Sequence, residues 1–418
     1  MEKEKEKEKG ATAKLTRRAM LAGTAGVVGT RVLRAQQMVD APSEAPTDPS
    51  KVQGRPATDV GQRSRFEAPK RTFNGSARTS SNTPLQDLEG IITPSDLHFE
   101  RHHGGVPEID PDNYTLLIHG MVERPRIFTL AELKRFPARS MTRFLECSGN
   151  GFRAYRGGPE NAEKTPQDVD GLTSTSEWVG VPLSTLFREA GVSPDAKWFL
   201  AESMDAAVMT RSIPAEKAWD DAMVAYGQNG EALRPEQGYP ARLLLPGFEG
   251  SSNVKWLRRI ELSDEPFMSR EETSKYTDPL PGGKARMFSF TMDVKSLITH
   301  PAYPARLSRG FWEIRGIAWT GRGKVVRVDV STDGGESWHK AELAEPVLPK
   351  CHTRFRFPFR WDGQKTTLMS RATDETGATQ PTLAEYLAVR GDGTIYHYNN
   401  IRAWTVMADG RVLFGEQV

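Results

Sequence analysis

Aromatic residues and arginines alternate between Arg354 and Trp361: Phe355, Phe357, Phe359 and Trp361 interleave with Arg354, Arg356 and Arg360. Successive side chains of a strand point to opposite faces, so a strand buries one of these sets and solvates the other. A helix would scatter the same aromatics around its circumference. Similar patterning runs from about Met292 onward. Val326, Val328 and Val330 alternate, Asp333-Gly334-Gly335 has hairpin-turn chemistry, and Thr366 to Ala372 reads as another strand, closed by Asp374 to Gly377. Short strands at this spacing predict a β-sandwich over residues 291–418.

Upstream, strands and helices mix. Tyr114 to Gly120 reads as a strand, and Thr129-Leu130-Ala131-Glu132 as a capping box opening a short helix that Pro137 stops. Arg143 to Leu145 reads as a strand running into Cys147. Leu183, Leu186, Phe187 and Ala190 fall at helical spacing before Gly191. Arg242 to Leu245 and Val254 to Ile260 are strand-like runs flanking a Gly-rich turn. Residues 36–89 are polar, with prolines at 42, 46, 49, 56, 69 and 84, and are expected to form an extended arm, with order beginning near Ile91.

Residues 1–35 stand apart. A Glu/Lys run precedes Arg17-Arg18, then a weakly apolar stretch from Ala19 to Val28, then Arg31, Arg34 and Ala35. The stretch is too short for a membrane span, which needs about 20 apolar residues. Its order fits a twin-arginine signal peptide, a route that exports proteins already folded, often with a cofactor inserted; a charged, solvated helix is the plain alternative. This segment holds nine of the 56 Lys and Arg and four of the 54 Asp and Glu, leaving 47 basic and 50 acidic residues, a net of −3. The formal +2 of the whole chain therefore belongs to the leader, and nothing supports nucleic-acid binding. Two cysteines exclude a disulfide scaffold, a CxxC zinc site and a CxxCH haem attachment.

Three segments carry candidate chemistry. In Glu146-Cys147-Ser148-Gly149-Asn150-Gly151 a cysteine sits at a strand end among small residues, where Gly149 and Gly151 allow close backbone approach. Such a cysteine is a soft metal ligand, a nucleophile or an inert core residue. His98, Arg101, His102 and His103 precede Gly104-Gly105. Adjacent histidines without carboxylates at ligand spacing suit a phosphate-bearing cofactor or an oxyanion better than zinc. Gly238-Tyr239-Pro240-Ala241-Arg242, then Pro246 to Gly250, then Asn253-Val254-Lys255-Trp256 can converge on a phosphate or form a plain turn.

Taken in order, Cys-Ser-Gly-Asn, Gly-Tyr-Pro-x-Arg and Pro-Gly-x-x-Gly with Val254-Lys255-Trp256 resemble the sulfite oxidase family of molybdopterin enzymes. So do Trp178-x-Gly180-x-Pro182-Leu183, Ser212-Ile213-Pro214 and Ala225-Tyr226-x-x-Asn229-Gly230. The resemblance spans about Leu85 to Trp404. Within the family, Met268-Ser269-Arg270 and Thr273 to Lys284, with Ser370 to Asp374 and Tyr396 to Asn400, resemble the SoxC branch, the molybdenum subunits of sulfane dehydrogenases.

The resemblance implies an α+β fold: a mixed α/β molybdopterin-binding domain over 90–290, then an Ig-like β-sandwich dimerisation domain over 291–418. It implies that Cys147 is the protein thiolate on molybdenum, that Arg101 and Tyr276 line the oxyanion site, and that His102, His103, Asp205, Gln237, Arg242, Asn253, Val254 and Lys255 contact the molybdopterin. Gln237 stands where sulfite oxidases have a histidine. The arginine those enzymes carry after the cysteine is displaced here, and Arg153 is the candidate substitute. Residues 156–176 are a candidate partner-binding loop, or a surface insertion.

The implied activity is oxidation of the sulfane sulfur of a carrier-bound cysteine persulfide to a sulfonate within the Sox thiosulfate-oxidation system. The implied partners are a sulfur-carrier protein (SoxYZ-like), a c-type cytochrome subunit (SoxD-like) and a second copy, giving a homodimer within a periplasmic heterotetramer. The competing expectations are a periplasmic sulfite dehydrogenase and a cofactor-free exported binding protein.

Overall fold

The computed structural model describes residues 48–51, 53–155 and 162–417. The leader expected over 1–35 and the first part of the 156–176 loop lie outside these residues. The chain divides into two units, 1–63 and 64–418. The described part of the first is extended and exposed apart from a 3-10 turn at Pro49–Lys51.

In the second unit, two five-stranded sheets build the mixed part. One runs in the order Arg126–Thr129, Thr115–Gly120, Leu257–Ser263, Trp198–Ser203, Thr210–Pro214. Leu183, Leu186, Phe187 and Ala190 of the helix Leu183–Ala190 join its buried core, and Gly191 ends that helix at φ 66°. The Thr129–Glu132 capping box forms as expected. The other sheet pairs Arg139–Glu146 along its whole length with Thr173–Pro182, from Arg139 opposite Gly180 to Glu146 opposite Thr173. This pairing delivers Cys147 at a fixed strand end.

The sandwich packs a four-stranded sheet (Lys295–His300, Gly310–Trp319, Thr353–Trp361, Glu342–Ala344) on a five-stranded one (His339–Lys340, Val325–Ser331, Thr366–Asp374, Ala403–Val406, Val412–Phe414). Phe355, Phe359 and Trp361 are buried with Val328, Val330, Leu368 and Trp404 from the facing sheet, while Arg356 and Arg360 are exposed. Val326 breaks the expected alternation. A bulge between Val325 and Arg327 turns it to solvent and buries Val325 instead.

Three sequence expectations are corrected. The arm expected over 36–89 gives way from Thr72 to folded chain: Ser80–Asn82 is a buried strand pairing with Glu100–Arg101, and Asn82 Nδ2 donates to the Gln167 carbonyl at 2.9 Å. Polar side chains disguised it, because their partners are buried hydrogen bonds rather than apolar neighbours. The described part of the 156–176 loop is not a surface insertion. Thr165 and Asp168 form a capping box over the helix Pro166–Asp170, which buries Gln167, Val169 and Asp170. The strand expected over Val254 to Ile260 starts at Leu257, because Trp256 takes φ 49° and its indole N–H bonds the Pro235 carbonyl at 2.9 Å.

A buried ion cluster joins the sandwich to the strand that leads into Cys147. Lys295 Nζ lies 2.7 Å from Glu146 and 3.2 Å from Asp170, Arg402 Nε lies 3.2 Å from Asp170, and Trp319 Nε1 donates to Glu146 at 2.6 Å. Burial raises the Asp170 pKa, but Lys295 and Arg402 outweigh it and hold the carboxyl below its ordinary range. Its contribution to stability is therefore full above about pH 4 and lost as pH falls through the folded value. Lys295→Met leaves two buried carboxylates short of a partner and is expected to cost about 3–5 kcal/mol in denaturant unfolding. Arg356→Ala, at the exposed pair with Glu342, should leave the midpoint unchanged.

Candidate active site

Glycine shapes the Cys147 loop where backbone meets backbone. A Cβ on Gly250 would lie 2.9 Å from the Glu146 carbonyl oxygen and 3.3 Å from Cys147 Cα, so the Pro246 to Gly250 loop presses directly on the cysteine. Gly151 takes φ 90°, and a Cβ there would strike the Arg402 guanidinium at 2.5 Å. Gly149 faces open space, so the close approach expected of both falls to Gly151 alone, and its neighbours are the protein's own ions.

Cys147 lines a cavity with Arg101, His102, His103, Asp205, Gln237, Arg242, Asn253, Val254, Lys255 and Tyr276. Arg153 is the exception among the expected residues. The strand ends at Glu146, and the short helix Phe152–Tyr155 carries Arg153 outward, exposed, to a neighbouring cavity that shares Arg101.

One end of the cavity is cationic. Arg242 is buried, donating to the carbonyls of Gln237 at 3.0 Å and Asn253 at 2.9 Å, with its guanidinium 5.1 Å from the Trp178 ring centroid. Lys255 donates to the Glu236 carbonyl at 2.8 Å. Burial drives the Arg242 pKa down to about 9, and burial with the Arg242 charge drives that of Lys255 to about 7. Arg242 Nε and His102 Nδ1 are buried without a partner. The Asn253 side chain is spent inside its loop, accepting from the Leu245 N–H at 2.6 Å and donating to the Phe248 and Glu249 carbonyls at 3.2 and 2.9 Å. It shapes the loop, and its backbone faces Arg242.

The other end is a directional hydrogen-bond chain. Arg101, paired on its strand with Ser80, donates to His103 Nδ1 at 3.3 Å; His103 Nε2 lies 3.1 Å from the Tyr276 hydroxyl. Guanidinium only donates, so Nδ1 accepts and Nε2 carries the proton given to Tyr276. Burial and the Arg101 charge hold the His103 pKa to about 4, which keeps this ring neutral. Tyr276 thus accepts from behind and keeps its own O–H to donate. Burial, with Cys147 next, raises its pKa, so the proton stays on the phenol. Burial likewise raises the Cys147 thiol, a proton that metal binding would displace.

Sequence reasoning missed what backs Tyr276. Arg211 is wholly buried 4.8 Å from the Tyr276 ring centroid, 3.0 Å from Glu249, 3.2 Å from Glu272 and 2.6 Å from Ser251 Oγ. The Tyr396 ring lies 5.3 Å from that of Tyr276, and the His397 N–H donates to the Ser148 carbonyl at 2.7 Å. The signals available were Arg211 beside Ser212-Ile213-Pro214 and the Tyr396-His397-Tyr398 cluster.

Among the described residues, no group of three or more His, Cys, Asp or Glu side chains is placed to hold a metal ion. Among the described residues, a metal at Cys147 would therefore find at most one further side chain of these types.

Residues 103–271 match the family described as oxidoreductase molybdopterin binding domain, and residues 286–403 the Mo-co oxidoreductase dimerisation domain. The crystal structure of the sulfane dehydrogenase SoxCD from Paracoccus pantotrophus is similar at a TM-score of 0.83 and 44% identity, covering 88% of this chain and 98% of that one. The mitochondrial sulfite oxidase of Drosophila melanogaster is 34% identical over 303 residues, 68% of this chain and 51% of that protein. A nitrate reductase [NADH] of Phaseolus vulgaris is 33% identical over 347 residues, 72% of this chain and 38% of that protein. The chain thus spans only part of the length of these curated relatives. It belongs to the sulfite oxidase family of molybdopterin oxidoreductases. An α+β molybdopterin-binding domain followed by an Ig-like dimerisation sandwich is the architecture of this chain, and a cofactor-free binding role is set aside.

The cavity fits molybdenum–molybdopterin. One soft sulfur is available to a metal already ligated, and buried cations with an unpartnered Nε await an anion such as the cofactor phosphate. A phosphate favours charged Lys255 and raises its pKa on binding, so uptake consumes a proton above about pH 7. Cofactor affinity of protein prepared without it should be greatest below about pH 7 and decline as pH rises, and Lys255→Met should flatten that limb in an equilibrium titration.

Proposed function

We propose that the chain is a molybdenum-dependent sulfane dehydrogenase subunit, oxidising the outer sulfur of a persulfide on a carrier-protein cysteine to a sulfonate. The observation that carries this reading is the placing of Cys147, Arg101, His103 and Tyr276 on one cavity, together with 44% identity to a sulfane dehydrogenase. When bound, the cofactor supplies oxygen-atom transfer and takes up two electrons for each oxygen added. A sulfonate needs three such additions, with the oxygens drawn from water and protons released.

In this reading the protein binds and orients. Arg101 and the Tyr276 O–H face the negative charge that grows on the sulfur-bound oxygens, and the neutral His103 between them fixes the direction in which that O–H is given. Cys147 holds the metal, and Arg242 and Lys255 hold the phosphate. With Arg153 turned outward, no second cation from the described part of the post-cysteine segment lines the cavity, which favours a sulfur substrate larger than free sulfite. Electrons leave to a c-type cytochrome subunit (SoxD-like), and the carrier is SoxYZ-like. The two copies of a heterotetramer pair through the sandwich, and the protein reaches the periplasm folded through the twin-arginine segment 1–35. Among the described residues, no helix is long and apolar enough to cross a membrane.

The test assays purified protein with its cytochrome partner on a carrier persulfide and on sulfite. Preference for the persulfide supports the reading, and turnover of free sulfite alone replaces it with sulfite dehydrogenase, which the similarity to the Drosophila enzyme favours. Cys147→Ala is expected to lose both molybdenum and turnover. Tyr276→Phe should keep molybdenum and lower kcat about 10²-fold, the size of one lost donor to developing charge.

A further inference from the structure

His98 lines the same cavity and has no part in the chemistry above. Its ring is wholly buried, stacked on Phe99 with centroids 5.1 Å apart and edge-on to Trp178 at 5.7 Å. Nδ1 lies 3.0 Å from the Phe99 carbonyl oxygen. A carbonyl only accepts, so Nδ1 carries the proton, and in a neutral imidazole Nε2 is then an acceptor only. Burial, reinforced by the Arg242 and Lys255 charges, holds the ring pKa to about 3 against the Phe99 hydrogen bond, so the neutral form persists.

Nε2 is buried and has no partner in the protein. Buried acceptors are nearly always satisfied, and this one sits on a ring packed against Phe99 and Trp178. Gln237 does not supply one: its amide gives one N–H to the Phe99 carbonyl at 2.9 Å, and the other does not reach Nε2. Lys255 and Arg242 still hold spare donors, Arg242 Nε among them, but neither lies within hydrogen-bond reach of Nε2. What the cavity offers at His98 is an acceptor among cations, which a phosphate cannot use and a ring N–H can.

We propose that His98 is a cofactor-binding residue, its Nε2 accepting a hydrogen bond from an N–H of the pterin. The same region of the cavity then offers cations to an anion and, beside them, a neutral acceptor to a ring N–H. This inference rests on the cofactor class and is independent of the substrate.

The test compares pterin release from purified holoenzyme, followed by the fluorescence of the freed, oxidised pterin. His98→Asn keeps a donor for the Phe99 carbonyl and lacks an atom at Nε2; His98→Gln can place an amide oxygen there. Release is expected to be about tenfold faster in H98N, equivalent to about 1.4 kcal/mol, and within about threefold of wild type in H98Q, the span of a weakened neutral hydrogen bond. Both variants lose the ring stacked on Phe99, so their unfolding midpoints, in protein from a host that cannot make the cofactor, should fall by similar amounts, and the difference in release between them isolates the acceptor. Wild-type release from H98N overturns the proposal, as does a fall in the cofactor-free midpoint with release unchanged. Wild-type protein without pterin would overturn the cofactor assignment itself, a result distinct from unchanged release in loaded protein.

Discussion

Lys295 is the ion on which the catalytic geometry depends. It is wholly buried between Glu146, the residue before the cysteine, and Asp170, on the helix that follows the Cys147 loop. With Arg402 the cluster is two cations against two carboxylates, so its burial is tolerable only while all four stay together. Two of its members come from the mixed domain and two from the sandwich. The sandwich is therefore part of the wall behind Cys147, and the strand end cannot shift without exposing or unpairing charge.

The same logic of compensated burial runs through the cavity. Arg211 stands between Glu249 and Glu272 with a tyrosine ring against its face, and His397 closes on Glu249 at 3.5 Å. Cations engaged this way are fixed in place and have little freedom to follow substrate. Arg242 and Lys255 differ, since their partners are carbonyls, and burial has eroded their hold on a proton. That contrast separates groups that build the wall from groups that await an anion.

Much of this was legible in the sequence. Alternation located the sandwich, helical spacing located Leu183–Ala190, and the ordered motifs located every cavity residue expected except Arg153. What was not legible depends on long-range partners. Ser80–Asn82 and the Thr83 that follows look like arm because Asn82 is satisfied by Gln167 and Thr83 by Ser174, some 90 positions away. Asp170 looks like loop because its partners, Lys295 and Arg402, are more than a hundred positions downstream. Val326 and Arg153 failed for a local reason: a bulge and a helical turn each changed which way one side chain faces, and periodicity does not register such steps.

The hydrogen bond from His397 to the Ser148 carbonyl has a consequence for the order in which the protein is made. Synthesis delivers His397 250 positions after Cys147. Until that segment has emerged and the last strands have paired, the cysteine loop lacks one of its walls, and Asp170 lacks Arg402. A ribosome-bound chain can fold its first sheets early, but its thiol pocket is finished last, so the site can take a ligand in its final shape only from a complete chain.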